Sequence, residues 1–100
     1  MHFVITAHDG KDGEALNRRM AARPAHIEYI EKGIAAGTHL AGGALLDDEG
    51  TMVGSVVIVD YPSIEDVKTK CLANDPYVTG NVWQEIDVKP FRMSEVFLTK

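Results

Sequence analysis

Hydrophobic residues recur at helical spacing over one long stretch of the chain, from Glu14 to about Ala36. The apolar positions repeat every three or four residues, which predicts an amphipathic helix with one buried stripe. The stripe consists of Leu16, Met20, Ile27, Ile30 and Ile34. Gly37 follows immediately, and glycine commonly ends a helix because it adopts left-handed backbone angles without strain.

Shorter stretches rich in β-branched and aromatic residues predict strands at 2–8, 38–46, 54–61 and 82–88. A fifth strand is predicted at 93–98. A second helix is predicted after Pro62, with Ser63 as its N-cap, Asp66 at the capping-box position, and an end before Pro76. Its buried stripe is Val67, Cys71 and Leu72.

The predicted order is β-α-β-β-α-β with a tail, which is typical of ferredoxin-like α+β folds with both helices on one face of an antiparallel sheet. The strand at 54–61 is apolar on both faces, with Val57 and Val59 on one and Val56 and Ile58 on the other. Two helices cover only one face. We therefore expect the other face to pack against a second copy of the chain, as a homodimer, with a higher oligomer left open.

Composition narrows the class of protein. With 100 residues and 45% hydrophobic content, the chain predicts one domain. The net charge of −5 argues against nucleic acid and anionic membranes as partners. No apolar run approaches the roughly 20 residues of a membrane span, and no basic segment precedes the N-terminal apolar stretch. A single cysteine, Cys71, cannot form an internal disulfide, so we expect a cytoplasmic protein.

A proline interrupts the predicted first helix within the stretch Arg23-Pro24-Ala25-His26. Arg23 falls in the middle of the apolar stripe, where an unpaired charge would be costly. Pro24 removes a backbone donor and clashes with the preceding turn. We therefore expect a helix that is kinked or restarted at Pro24, with His26 near a new N-terminus at the edge of the buried face.

Five short motifs give the chain its resemblance to the YciI-like (YCII-related) proteins. They are Arg23-Pro24-Ala25-His26, Ala41-Gly42, Gly54-Ser55, Asp75-Pro76-Tyr77 and Val88-Lys89-Pro90-Phe91. The resemblance covers essentially all of residues 1–100, as a single YciI-like domain. It implies a dimeric α+β barrel and a pocket with His26 and Asp75 at its centre and Arg23 and Ser55 nearby. Some relatives are dehydrochlorinases, and the wider superfamily includes muconolactone isomerases. One departure is Gly43, where the family often has proline.

The chemistry of these residue types agrees with a cofactor-free lyase or isomerase acting on a small substrate, with aromatic and carboxylated molecules as candidates. A neutral imidazole at His26 can take and return a proton, and Asp75 can orient it. Arg23 can receive a carboxylate or phenolate, and Tyr77 or Trp83 can flank a ring. The alternative is a non-catalytic dimeric domain that binds a small ligand or acts as an accessory.

Each candidate also has a structural explanation. His26 can be a buried histidine bonded to a carbonyl, Asp75 a turn residue, Arg23 the partner of a carboxylate such as Glu28 or Asp75, and Ser55 a plain strand residue. His8-Asp9 is a weaker second candidate, for which a polar exit from the strand is the favoured explanation. Cys71 is interpreted as inert core.

No metal or nucleotide cofactor is predicted. The histidines lack the HExxH spacing, and one cysteine cannot make a thiolate cluster. His26-Ile27-Glu28 has the H-x-E form of zinc deaminases without their P-C-x-x-C motif. The glycines match neither nucleotide-binding fingerprint.

Overall fold

A four-stranded antiparallel sheet forms from the predicted strands. The computed structural model describes residues 1–98; Thr99 and Lys100, the last two positions of the predicted domain, lie outside the described residues. The strands are β1 (His2–Asp9), β2 (His39–Leu46), β3 (Met52–Asp60) and β4 (Trp83–Phe91). Their order across the sheet is β2-β3-β1-β4, and every neighbouring pair is antiparallel. With the helices described below, this is the predicted ferredoxin-like α+β fold.

The two faces of the sheet differ in burial, as alternation along a strand requires. In β1, Phe3, Ile5 and Ala7 are buried, and they lie opposite Val59, Val57 and Ser55 of β3, which are buried too. The apolar side chains among these belong to the core beneath the helices. On the other face, Val4, Val56 and Ile58 are half-buried.

The first helix, α1, spans Ala15–Ala36 without a break, so the predicted restart at Pro24 is wrong. Pro24 and Met20 are both exposed. The Met20 carbonyl that loses its N–H partner therefore lies on the side of the helix where water can satisfy it. The helix ends as predicted at Gly37, whose φ of 81° is in the left-handed region.

The face that α1 turns toward the sheet is not the predicted apolar stripe. Leu16, Met20, Ile27 and Ile34 are 39–60% exposed, whereas Arg19, His26 and Gly33 are buried. Those three residues repeat every seven positions and therefore share one face. The stripe prediction was wrong because the polar members of the buried face find partners on other elements. Arg23, predicted to lie at the centre of the buried stripe, is exposed.

The second helical segment, α2, runs through Ile64–Asp66, Val67–Cys71 and Leu72–Asn74, changing from an α-helical to a π-helical and then a 3₁₀ turn. Ser63 caps it as predicted, accepting a hydrogen bond from the Asp66 N–H at 3.2 Å. The predicted stripe of Val67, Cys71 and Leu72 is buried.

Two short helices were not predicted. Helix α3 (Pro76–Thr79) follows α2 directly, and α4 (Glu95–Leu98) replaces the predicted fifth strand. The chain leaves the sheet after β4, and there the Met93 N–H donates to His2 Nδ1 at 3.1 Å. Among the described residues, the sheet consists of β1 to β4, and the segment 93–98 pairs with none of these strands. Within residues 1–98, no helix is both long enough and apolar enough to cross a membrane.

Candidate active site

A cavity of about 250 Å³ lies between α1 and strands β2 and β3. Both α1 and the two strands contribute residues to its apolar wall. This wall contains Ile27, Ile30, Ile34, Leu40, Met52 and Val57, together with the Ala41–Ala44 segment of β2. Part of the exposed stripe of α1 therefore lines the cavity instead of the core. The polar lining residues are Arg19, Arg23, His26, His39, Ser55 and Tyr77.

His26 and Asp75, predicted as a pair across 49 residues, are in contact. His26 Nδ1 lies 2.7 Å from Asp75 Oδ1, and both side chains are buried. Asp75 also caps α3, since its Oδ1 accepts the Tyr77 N–H at 2.9 Å. The turn interpretation of Asp75 and its interpretation as the partner of a histidine are therefore both correct.

The contact with Asp75 determines which nitrogen of His26 carries the proton. An ionised carboxylate only accepts hydrogen bonds, so neutral His26 is protonated at Nδ1 and its Nε2 has a free lone pair. The ring is fixed by stacking on Tyr77, with centroids 3.7 Å apart and planes 9° from parallel, and by the edge contact with Trp83 at 5.7 Å. Within residues 1–98, Nε2 has no hydrogen-bond partner. The Nε2 lone pair of His26 is therefore available to a molecule in the cavity.

A second buried pair, between Arg19 and Asp9, was not predicted. Arg19 Nη1 lies 3.0 and 3.1 Å from the two Asp9 oxygens, and the guanidinium lies 4.8 Å from the centroid of the Tyr77 ring. Asp9 is 7% exposed, so its interpretation as a polar strand exit is wrong.

The sequence contained a signal for this pair. Asp9 continues the alternation of Ile5 and Ala7 on the core face, and Arg19 precedes His26 by two helical turns. Ser55 joins the cluster, since its Oγ accepts a hydrogen bond from Arg19 Nη2 at 2.9 Å and from Trp83 Nε1 at 3.2 Å.

Arg23 supplies an accessible positive charge. It lines the cavity and makes no ion pair within residues 1–98, while Glu28, one of its expected partners, pairs with Lys32 at 3.3 Å. Burial raises the pKa of Tyr77, although the charges of Arg19 and Arg23 act in the opposite direction. The phenol therefore stays protonated near neutral pH.

A second histidine in the cavity wall, His39, was not singled out. Its ring packs against the backbone of Gly33, where an added Cβ would overlap it. Its Nδ1 lies 3.2 Å from Thr38 Oγ1, and its Nε2 lies 3.9 Å from the Cys71 sulfur. Burial lowers the pKa of His39 and raises that of Cys71. Across the described residues, no group of three or more His, Cys, Asp or Glu side chains is arranged to hold a metal.

Comparisons with known proteins find similarity over nearly the whole chain. The family model for the YCII-related domain matches residues 1–92. Protein YciI of Escherichia coli O6:H1 is 34% identical over 98 residues, covering 92% of this chain and 97% of that protein. The "derivative of benzaldehyde biosynthesis cluster protein C" of Emericella nidulans is 35% identical over 86 residues, covering 78% and 87% of the two chains.

Among solved structures, the 5-chloro-2-hydroxyhydroquinone dehydrochlorinase TftG of Burkholderia phenoliruptrix, in complex with 2,5-dihydroxybenzoquinone, aligns with a TM-score of 0.80. It is 26% identical in sequence, and the alignment covers 96% of this chain and 98% of that one.

Proposed function

The chain belongs to the YCII-related domain family, and we propose that it is a cofactor-free lyase or isomerase in which His26 performs acid–base chemistry. The observation that carries this proposal is the 2.7 Å contact between His26 Nδ1 and Asp75 Oδ1 beside a cavity. Asp75 keeps the proton on Nδ1 and stabilises the imidazolium that forms when Nε2 takes a proton from the substrate. The same nitrogen then returns that proton or releases it to water.

The cavity favours a small, largely apolar substrate with one anionic or oxygen-bearing group. Isoleucines form much of the wall, and about 250 Å³ is slightly below the usual volume of ligand pockets, roughly 300–1,000 Å³. Arg23 offers its charge to a carboxylate or phenolate. The likeness to a dehydrochlorinase in complex with a dihydroxybenzoquinone supports a hydroxylated, halogenated ring as substrate, losing a proton and chloride.

The test is an assay of turnover with chlorinated hydroquinones and hydroxylated aromatic acids. Turnover is measured as chloride release and as the absorbance of the product. We expect the wild type to turn over at least one of these compounds and His26→Gln to lose about 10²-fold or more of the rate, because general base catalysis contributes that much. His8→Gln, at an exposed histidine, is the control and should keep full activity. Retained turnover in His26→Gln would contradict the proposal.

The non-catalytic alternative predicts a different result from the same experiment. A ligand-binding or accessory domain would return each compound unchanged, and His26→Gln would alter affinity alone.

We also propose that the working unit is a homodimer that buries the sheet face opposite the helices. Val4, Val56 and Ile58 on that face support this proposal, because apolar residues there gain from cover. Light scattering should give twice the chain mass for the wild type and a lower mass for Ile58→Lys. Ala35→Lys, on an exposed part of α1, should leave the mass unchanged. A monomeric wild type would contradict the dimer, and a mass above twice the chain mass would indicate a higher oligomer.

A further inference from the structure

Asp75 lies at the junction between α2 and α3, so its position depends on how α2 ends. The last turn of α2 is a 3₁₀ turn, in which the Asp75 N–H donates to Leu72 O at 3.4 Å. In a regular α-helix this N–H would donate to Cys71 O, four residues earlier. The Cys71 carbonyl therefore lacks the partner that a regular helix would supply, and it can accept from another element.

Tyr29 of α1 supplies that donor. Its hydroxyl donates to Cys71 O at 2.9 Å and lies 3.4 Å from Lys70 O. Burial raises the pKa of Tyr29, so the hydroxyl keeps its proton and remains a donor. The ring is held from the side by its edge contact with His39, at 5.5 Å between centroids.

The bond from Tyr29 closes a ring of contacts around the His26–Asp75 pair. Tyr29 follows His26 by three residues, so the two side chains are neighbours on the surface of α1. On the other side, Cys71 is separated from Asp75 by the 3₁₀ turn Leu72–Asn74. The two hydrogen bonds, at 2.7 Å and 2.9 Å, therefore join the same two pieces of chain about one turn apart.

The segments on the two sides of Asp75 are held to α1 in different ways. After Asp75, the Tyr77 ring stacks on His26. Before Asp75, α2 packs through Val67, Cys71 and Leu72, but apolar packing has no preferred direction and does not by itself fix the rotation of the last turn. A hydrogen bond does have a preferred direction, so the Tyr29 hydroxyl can fix that rotation.

We propose that Tyr29 is a positioning residue for the His26–Asp75 pair. Through Cys71 O it holds the last turn of α2, so that the Asp75 carboxylate stays on His26 Nδ1. The inference rests on the proposed function for what the pair does, and it adds a residue that acts only through the pair. Among the described residues, Tyr29 lies outside the set that lines the cavity.

Hydrogen exchange tests this role without a substrate. Asp75 Oδ1 contacts two N–H groups, the backbone N–H of Tyr77 and the Nδ1–H of His26, and NMR can follow the exchange of both. The exchange rate reports how often these contacts open. Tyr29→Phe keeps the ring and removes only the hydroxyl. Both protons should therefore exchange about 3- to 10-fold faster, the factor that corresponds to one lost hydrogen bond.

Thr69→Val is the matched control. Thr69 Oγ1 also donates to a carbonyl of α2, Glu65 O at 2.9 Å, but this bond lies within α2 and does not join it to α1. The variant should leave both exchange rates close to those of the wild type.

Turnover gives a second measurement on any compound that the wild type converts. In Tyr29→Phe, kcat should fall about 3- to 10-fold while KM stays unchanged, because the contacts with the substrate are the same. A purely structural role would lower the amount of folded protein and leave kcat per folded molecule unchanged.

The outcomes separate this inference from the proposed function. Equal exchange in wild type and Tyr29→Phe, or the same increase in Thr69→Val, overturns the positioning role whether or not the protein is an enzyme. Faster exchange with unchanged kcat in an active enzyme also overturns it. Faster exchange in Tyr29→Phe alone, in a protein that turns over none of the compounds, supports the hold on Asp75 and counts against the enzyme.

Discussion

The cavity wall contains two buried histidines that are held in opposite ways. His26 contacts a carboxylate, whereas His39 is surrounded by the hydroxyl of Thr38, the thiol of Cys71 and the edge of Tyr29. They belong to sites about 10 Å apart along α1, because His39 packs on Gly33, two turns after His26.

The comparison teaches what burial alone does to an ionisable group. At the His39 site, burial lowers the pKa of the histidine and raises those of Cys71 and Tyr29, so all three groups stay neutral. At the His26 site, each buried cation or potential cation has its own carboxylate: Asp75 for His26 and Asp9 for Arg19. Only the second arrangement supplies a buried cation with an opposite charge in hydrogen-bond contact.

The largest predicted effect comes from breaking the Arg19–Asp9 ion pair at the His26 site. Arg19→Met leaves Asp9 buried without its partner, and we expect a loss of about 3–5 kcal/mol in the free energy of unfolding, measured by urea denaturation. Arg23→Met, which removes an exposed arginine from the same helix, should change it by less than about 0.5 kcal/mol.

The double variant Asp9→Leu/Arg19→Met checks the cause of that loss. Replacing both charges with apolar groups should recover most of the stability, because the cost lies in the unpaired charge. A double variant as unstable as Arg19→Met would mean that lost packing, not lost pairing, is responsible.

The next effect separates the two roles of Asp75. Asp75→Ala leaves the His26 Nδ1–H and the Tyr77 N–H without an acceptor, at about 2–4 kcal/mol in the free energy of unfolding. Asp75→Asn keeps an acceptor oxygen, so most of the stability should return, while turnover on the compounds named above should still fall about 10²-fold or more. Full turnover in a folded Asp75→Asn protein would remove the carboxylate from the chemistry.

A smaller effect on the free energy of unfolding tests the packing of His39 on Gly33, and a second substitution should reverse its sign. Alanine normally improves a helix by up to about 1 kcal/mol over glycine. At Gly33 the new methyl would overlap the His39 ring, so Gly33→Ala should instead destabilise the protein by about 1–2 kcal/mol. In a His39→Ala background, the same change should become stabilising. A stabilising Gly33→Ala in the wild type would show that the ring moves aside without cost.

Local sequence signals predicted the order of elements and several boundaries. Alternation, a glycine after α1 and a serine before α2 are each readable within a few residues, which is why Gly37 and Ser63 were predicted correctly. The fifth strand failed because pairing depends on a neighbouring strand that the segment itself does not encode. The break at Pro24 failed because its cost depends on whether water reaches the freed carbonyl.

The candidate site was predictable in part. The resemblance identified His26 and Asp75, and their contact is present. Arg19 and Asp9 were missed because a charged residue was assumed to avoid the core, and its partner lies on another element. Helical periodicity then pointed to the more apolar stripe. The periodic positions of Asp9 and Arg19 place each residue on a buried face, but they do not show that the two residues pair with each other.

The smallest predicted effect is the pH dependence that His39 contributes. Burial places its pKa in the folded protein below the ordinary value. As pH falls below about 6.5, the unfolded chain binds the proton first, so this group lowers the free energy of unfolding at acidic pH and adds no slope above that value. His39→Phe should remove this contribution.

Urea denaturation from about pH 8 to about pH 5 checks this prediction. The difference in the free energy of unfolding between wild type and His39→Phe should be constant near pH 8 and move in favour of the variant toward pH 5. His8→Gln, at an exposed position, should show no such trend relative to the wild type. A constant difference for His39→Phe would mean that His39 accepts its proton inside the folded protein as readily as outside it. The contrast between a histidine that burial keeps neutral and a histidine that contacts a carboxylate would then fail.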